Sequence, residues 1–315
     1  MKRNRFQNKV ATSGYTLPVA AIFATLLWCA EGIYTLDMLW GWLLCGLTAY
    51  LWMETNNTYA LIRIRSLLTP AIYVTMTGAA FSLHPLQPSV IIACAMLASY
   101  NMLFRSYQQT NAVSPLFHSF LCLGVGSLFF PQLLYFVPFY LWYATVFFRS
   151  LTWRAFWAAI LGLALPYWFM AGYDIYTENF SHFTAHFSAL AQFQPLHLGN
   201  YRYFDYLQVS FVAWVAALSL IASAHCIRTS FNDKIRTRML LYCIIIQELL
   251  IVAFMALQPI HFHVLSGLLL MNSAPLIAHY FALTRSRFSN SLFVLSIFVL
   301  SALALSDLWT RLSIS

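Results

Sequence analysis

Two carboxylates stand inside apolar runs, where a charge is expensive: Glu31 in VAAIFATLLWCAEG and Glu248 in CIIIQELLIVAF. A charge at the centre of a membrane helix costs about 2.5–3.5 kcal/mol on insertion scales, so such groups usually face a bundle interior and mark a site or pathway. Gln247 sits beside Glu248, and the next apolar run, LLLMNSAPLIAH, carries Asn272, Ser273 and Pro275 at its centre. A short link joins the two runs, which predicts antiparallel neighbours with Glu248 and Asn272 at one depth. Pro275 removes the backbone hydrogen bond to Met271 and loosens the helix. Interrupted helices lining a polar cavity recur in secondary transporters. One reading is a substrate or proton pathway, to which Asn101, His118 and His279 would belong. The other is a buried hydrogen bond that only holds two helices together.

A second chemistry-bearing stretch is DIYTENFSHFTAHFSALAQFQPLHLGNYRYFDY, residues 174–206. Phe180, Phe183, Phe187, Leu190 and Phe193 recur at helical spacing, which predicts an amphipathic helix over 178–193 lying in a membrane interface. Glu178, His182 and His186 are spaced by four and would form one stripe along it. A carboxylate with two imidazoles is a zinc ligand set, although a polar edge of an interfacial helix has the same pattern. Beyond it, Arg202 and Asp205 stand among tyrosines. An arginine there suits a phosphate or sugar-phosphate headgroup, and the tyrosines suit an interfacial aromatic belt.

A third stretch is LWMETNNTYALIRIRS, a polar knot between two apolar runs. Glu54, Asn56, Asn57, Arg63 and Arg65 make residues 54–65 either an ordinary cytoplasmic turn, rich in cap and turn residues, or a charged docking point or hinge.

The elements that must position these groups follow from composition. Hydrophobic residues make up 61% of the 315-residue chain and charged residues 8%, against about 25% charged in an ordinary soluble domain. Lipid offers the backbone no hydrogen bonds, so spans are helices or a closed barrel. Barrel strands alternate apolar and polar residues, whereas these runs are apolar on all sides. The expected fold is therefore all-α, a polytopic transmembrane bundle forming a single integral membrane domain over 1–315. Eleven spans are predicted, at 17–35, 38–53, 66–83, 89–104, 112–128, 131–148, 155–173, 207–227, 239–257, 264–284 and 291–308. The start of the chain has the basic leader and apolar run of a signal peptide. Its length, its Trp28 and the many runs that follow favour a cytoplasmic basic leader at 1–16 and a retained first span.

Charge sidedness tests that layout. With the N-terminus inside and the C-terminus outside, all of the 17 Lys and Arg fall on inner segments except Arg202 and Arg311, as the positive-inside rule asks. The net charge of +8 then reads as orientation signal and contact with anionic membrane lipids. The basic residues come in ones and twos at helix ends, which excludes a nucleic-acid face.

The knot also carries a resemblance. Asn56, Asn57, Thr58, Tyr59, Ala60 and Leu61, followed by basic residues and a run of short-looped hydrophobic hairpins, resemble an uncharacterised family of polytopic inner-membrane proteins from Bacteroidota. The resemblance implies a bacterial inner-membrane location and supplies no activity.

Three function classes remain. The first is a transporter or handler of a lipid-linked glycan or other anionic ligand. The second is a non-catalytic subunit or scaffold with a protein partner in a cell-envelope complex. The third is a membrane-embedded enzyme acting on a lipid-linked sugar. Only Arg202 and the histidine stripe support the enzyme, and the first outer loop, little beyond Leu36 and Asp37, is too small for the acidic motif of lipid-sugar glycosyltransferases. The six cysteines lie in or beside apolar runs with no pairing pattern, where cysteine acts as a small hydrophobe. No nucleotide-binding loop or metalloprotease signature is present, and no cofactor is expected.

Overall fold

The computed structural model describes residues 5–31, 35–178, 181–193 and 205–314, and among these it is helical with no strand. Among the described residues, seven helices are long and apolar enough to cross a membrane, which fits an integral membrane protein that crosses several times. The chain groups into two compact units, one made of Met1–Val90 with Leu198–Ser315, the other of Ile91–His197.

In the first unit, α1 (Phe6–Thr12) meets α2 (Thr16–Glu31) at a bend of 95°. The basic leader thus ends in a short helix turned away from the first apolar one. α3 (Leu36–Tyr59) begins at Thr35, whose hydroxyl accepts from the Met38 amide, satisfying one of the free donors at a helix start. α4 (Leu68–Ala79) has only 12 residues. At about 1.5 Å per residue it is about 18 Å long, well short of the about 30 Å of a hydrocarbon core. The expected span 66–83 is therefore a short helix followed by a 3-10 turn, Phe81–Leu83. α10 (Tyr206–Thr229), α11 (Ile235–Leu257), α12 (Phe262–Leu283) and α13 (Arg287–Ile314) complete the unit. Nearly every residue of α12 is buried, and it packs against α4, α10 and α11. Pro275 leaves it one continuous helix.

The second unit holds α5 (Pro88–Arg105, whose first residues belong to the first unit), α6 (Val113–Phe129), α7 (Val137–Trp142), α8 (Trp153–Tyr176) and α9 (Ser181–Leu190). α6 and α8 pack through glycines. A β-carbon at Gly124 would meet the Leu163 carbonyl at 2.8 Å, and one at Gly162 the Phe117 carbonyl at 2.3 Å. Small residues that let backbones approach are the usual means of helix association in lipid. The expected span 131–148 is not one helix: a 3-10 stretch at Pro131–Phe136 leads into α7 and then a π turn at Tyr143–Phe147. Pro131 and Pro138 lack the N–H that a continuous helix needs there.

Candidate functional site

The first unit buries polar groups at three levels along α12. The middle level is built around Glu248 on α11, whose side chain is fully buried. Asn272 Nδ2 donates to its Oε2 at 2.8 Å, and Ser273 Oγ donates to its Oε1 at 2.6 Å. The Ser219 hydroxyl of α10 donates to the Ala216 carbonyl of its own helix at 2.9 Å. Asn272 Nδ2 further donates to the Ile244 carbonyl at 2.9 Å, one turn before Glu248. Gln247 is buried beside them. Two helices, α11 and α12, are thereby tied through one carboxyl, and both donors to it are neutral groups.

The level at the C-terminal end of α12 is charged. Asp233, in the link between α10 and α11, has a side chain with no exposure. Arg63 Nε lies 2.6 Å from its Oδ1, and His279 Nε2, on α12, lies 3.6 Å from its Oδ2. Burial pushes the Asp233 carboxyl up, but His279 and the Arg63 guanidinium outweigh it and hold the group below the ordinary carboxylate value. Asn272 and His279 are seven residues apart, two turns on one helix face and about 10 Å of rise.

The third level lies at the other end of α12. Glu31 closes α2, His84 follows the 3-10 turn after α4, and Arg311 is in the last turns of α13. His84 Nδ1 stands 2.5 Å from Glu31 Oε2, and Arg311 Nη1 donates to Glu31 Oε1 at 2.7 Å. Arg311 Nε also donates to Asp307 Oδ1 at 3.0 Å. Trp28 stacks on the buried His84 ring, centroids 3.8 Å apart. The other imidazole nitrogen, Nε2, lies 3.1 Å from the Gly78 carbonyl. A carbonyl only accepts, so Nε2 carries a hydrogen. Nδ1 and Glu31 Oε2 then share one further proton. A small cavity lined by Phe81, Leu207, Phe262, Ser266 and Asp307 borders this level.

Several sequence expectations change here. Glu31 is not a lone acid inside a span; it ends α2 and is held by a histidine and an arginine. Glu54 does not pair with Arg63 or form a hinge with it. It is exposed and accepts from Thr58 one turn on, at 3.2 Å, while Arg63 turns to Asp233. The knot itself is half helix, because α3 continues to Tyr59 and stops at Ala60, whose φ of 49° is left-handed. Asn56 builds the turn that follows: its Oδ1 accepts from the Ile62 amide and its Nδ2 donates to the Ser66 carbonyl, both at 3.2 Å. Asn57 and Arg65 are exposed.

The proposed zinc stripe does not form along one helix. α9 begins at Ser181, so Glu178, with a φ of 52°, is not on it. His186 faces the Tyr167 hydroxyl at 3.3 Å, and burial lowers its pKa. No cluster of three metal-binding side chains occurs among the described residues. α9 is tied to its own unit by the Asp174 carboxylate, which accepts from the Phe183 amide at 2.8 Å, and by Gln132, which donates to the Ala189 carbonyl at 3.1 Å. Asp205 caps α10, accepting from the Leu207 amide at 3.0 Å. Arg202 lies outside the described residues, as does the side chain of His182. Asn101 and His118 belong to the second unit and bond to carbonyls of their own helices, Leu97 and Ser114.

Sequence reasoning missed His84, Asp233 and the pairing of Arg311. One signal was available: Arg311 breaks the sidedness of the basic residues, and it stands four residues after Asp307, one helical turn.

The chain matches no protein-family model, no curated protein and no solved structure.

Proposed function

We propose that this is a secondary transporter of a bacterial inner membrane, N-terminus inside and C-terminus outside, in which α12 carries protons to drive movement of an anionic or lipid-linked substrate. One observation carries the reading: a buried glutamate held by neutral donors lies between a charged level at each end of the same buried helix. Chains of Asp, Glu and His inside membranes are the usual route for protons in pumps and transporters. A carboxyl surrounded by hydroxyl and amide groups can hold or release a proton without leaving a counter-ion unpaired.

The orientation has its own support. In that layout Glu31 lies at the outer end of the first span and His84 and Arg311 lie outside, and Glu31 meets both. Arg63 falls inside beside Asp233, and those two meet as well. With α2, α6, α4 and its 3-10 turn, and the broken 131–148 segment, the seven long helices would make eleven passes. The inner-membrane location rests on the same sidedness and on the resemblance carried by Asn56 to Leu61.

The test is proton flux into liposomes containing the purified protein, read with a pH-sensitive dye. Wild type should acidify the lumen down an imposed gradient, and Glu248→Gln should insert normally yet lose the flux. Full flux in Glu248→Gln, or none in wild type, would sink the proposal.

A scaffold in an envelope complex is the second reading. It is favoured by the closure of the Glu248 cage, in which the donors are all intramolecular. On that reading Glu248→Gln keeps every phenotype and a stoichiometric protein partner co-purifies from native membranes.

A further inference from the structure

The first unit contains a large apolar groove that none of the three polar levels uses. It measures about 590 Å³ and is walled by α2, α4, α10, α12 and α13, with α1 at one end. That size suits a bound small molecule, for which pockets run to about 300–1,000 Å³. Its walls are mostly apolar, among them Ile72, Met76, Leu218, Ile277 and Leu300, with the hydroxyls of Thr75, Ser296 and Ser301 between them. The end formed by α1 and the bend into α2 differs: there Lys9, Ser13, Tyr15 and Thr16 line the opening.

That end is built rigidly. Phe6, Lys9, Val10 and Ser13 line the groove at helical spacing, so one face of α1 looks into it. The opposite face is pinned by Gln7, which is almost fully buried. Its Nε2 donates to the Phe281 carbonyl at 2.5 Å and to the Thr284 carbonyl at 3.0 Å, and its backbone amide donates to Asn290 Oδ1 at 3.1 Å. The 95° bend lets α1 run along a membrane surface while α2 enters the apolar layer, which is the geometry of an interfacial basic helix.

We propose that this groove holds one acyl chain of an anionic phospholipid, with the headgroup phosphate against Lys9. One feature selects that occupant. Among the described residues that line the opening, the one charge is the exposed ammonium of Lys9, the complement of a phosphate and not of a cationic or neutral ligand. A hydrocarbon chain suits the mostly apolar lining of the groove, and the Ser13 and Tyr15 hydroxyls beside Lys9 can donate to phosphate oxygens. The site needs the protein to lie in a bilayer, but it does not depend on any proton movement.

The experiment uses full-length protein in nanodiscs containing equal phosphatidylglycerol and phosphatidylethanolamine, then native mass spectrometry to count retained lipids. One phosphatidylglycerol should remain bound after release of bulk lipid. Lys9→Gln should lower that preference about fivefold, the effect of one basic residue near an anionic surface. Val19→Trp, at an exposed position on the rim, should block the groove and abolish retention of either lipid. Equal retention of both lipids by wild type would overturn the proposal, as would unchanged retention in both variants. Protein that does not enter the nanodisc at all would break the membrane reading beneath it, so the two failures are told apart.

Discussion

Glu248 and Glu31 both sit in apolar runs, yet they are held by opposite chemistry. Glu248 is held by an amide and a hydroxyl from α12. Glu31 is held by an imidazole and a guanidinium from distant parts of the chain. A neutral cage satisfies a carboxyl in either protonation state, because hydroxyls reorient and exchange donor for acceptor roles. A cationic cage satisfies only the anion; removing that anion leaves positive groups unpaired, and a buried unpaired charge is strongly destabilising. Membrane depth thus does not determine what an intramembrane acid is for. Its partners do: the first arrangement suits exchange of a proton, the second suits clamping α2, the turn after α4 and α13 together.

The comparison is broken most directly by exchanging the two acids for their amides. Glu248→Gln should reduce proton flux at least tenfold and leave the thermal midpoint little changed. Glu31→Gln should do the reverse, keeping flux per folded molecule within about twofold while costing about 1 kcal/mol, because the pair is partly exposed and Arg311 keeps Asp307. Flux assays beside thermal unfolding in detergent separate the two, and matching phenotypes would erase the distinction.

Asp233 extends the charged class to the other end of α12, and its pH behaviour sharpens the contrast. Its carboxyl is held below the ordinary value of 3.8, so the unfolded chain takes up the proton first. The stabilisation is therefore complete above that value and is lost as pH falls through the lower, folded-state value. Asp233→Asn should cost about 1–3 kcal/mol at pH 7. The difference between variant and wild type should shrink below about pH 4, in denaturation measured across pH.

Smaller effects follow for single uncharged bonds. Asn272→Ala removes one donor to Glu248 and one to the Ile244 carbonyl, and bonds between membrane helices average about 0.6 kcal/mol, with a maximum near 1.7. A midpoint shift of a few degrees is expected, with flux reduced but present. A collapse of folding would mean that the cage is the main tie between α11 and α12. The least change belongs to Arg65→Ala, at an exposed position two residues from Arg63. Stability within about 0.5 kcal/mol of wild type is expected, as for ordinary surface substitutions, whereas Arg63→Ala should loosen Asp233.

How much was legible beforehand depended on chain distance. Glu248 and Asn272 are 24 residues apart on helices joined by a short link, so depth and adjacency followed from counting residues. Glu31 meets His84 across 53 residues and Arg311 across 280. Periodicity carries no information about which helices become neighbours over such separations. The knot was half readable: Asn56 was recognised as turn chemistry, but nothing in an alanine announces the left-handed conformation of Ala60, which usually falls to glycine. Helix lengths failed at 66–83 and 131–148 for a related reason. Apolar content was read as length, while the turn after α4 and the prolines at 131 and 138 decide where helices stop.

The shortness of α4 has an electrical consequence. α4 packs directly on α12, and on the transporter reading a helix of about 18 Å beside a core of about 30 Å would bring the aqueous boundaries closer together there. A transmembrane voltage would then fall over a shorter path along α12 than across the surrounding lipid, and the local field would be steeper. One elementary charge crossing 100 mV exchanges about 2.3 kcal/mol. If protons pass by way of Glu248, most of that work is concentrated on the few residues between Ser266 and His279, and occupancy of the glutamate by a proton becomes a function of voltage as well as of pH.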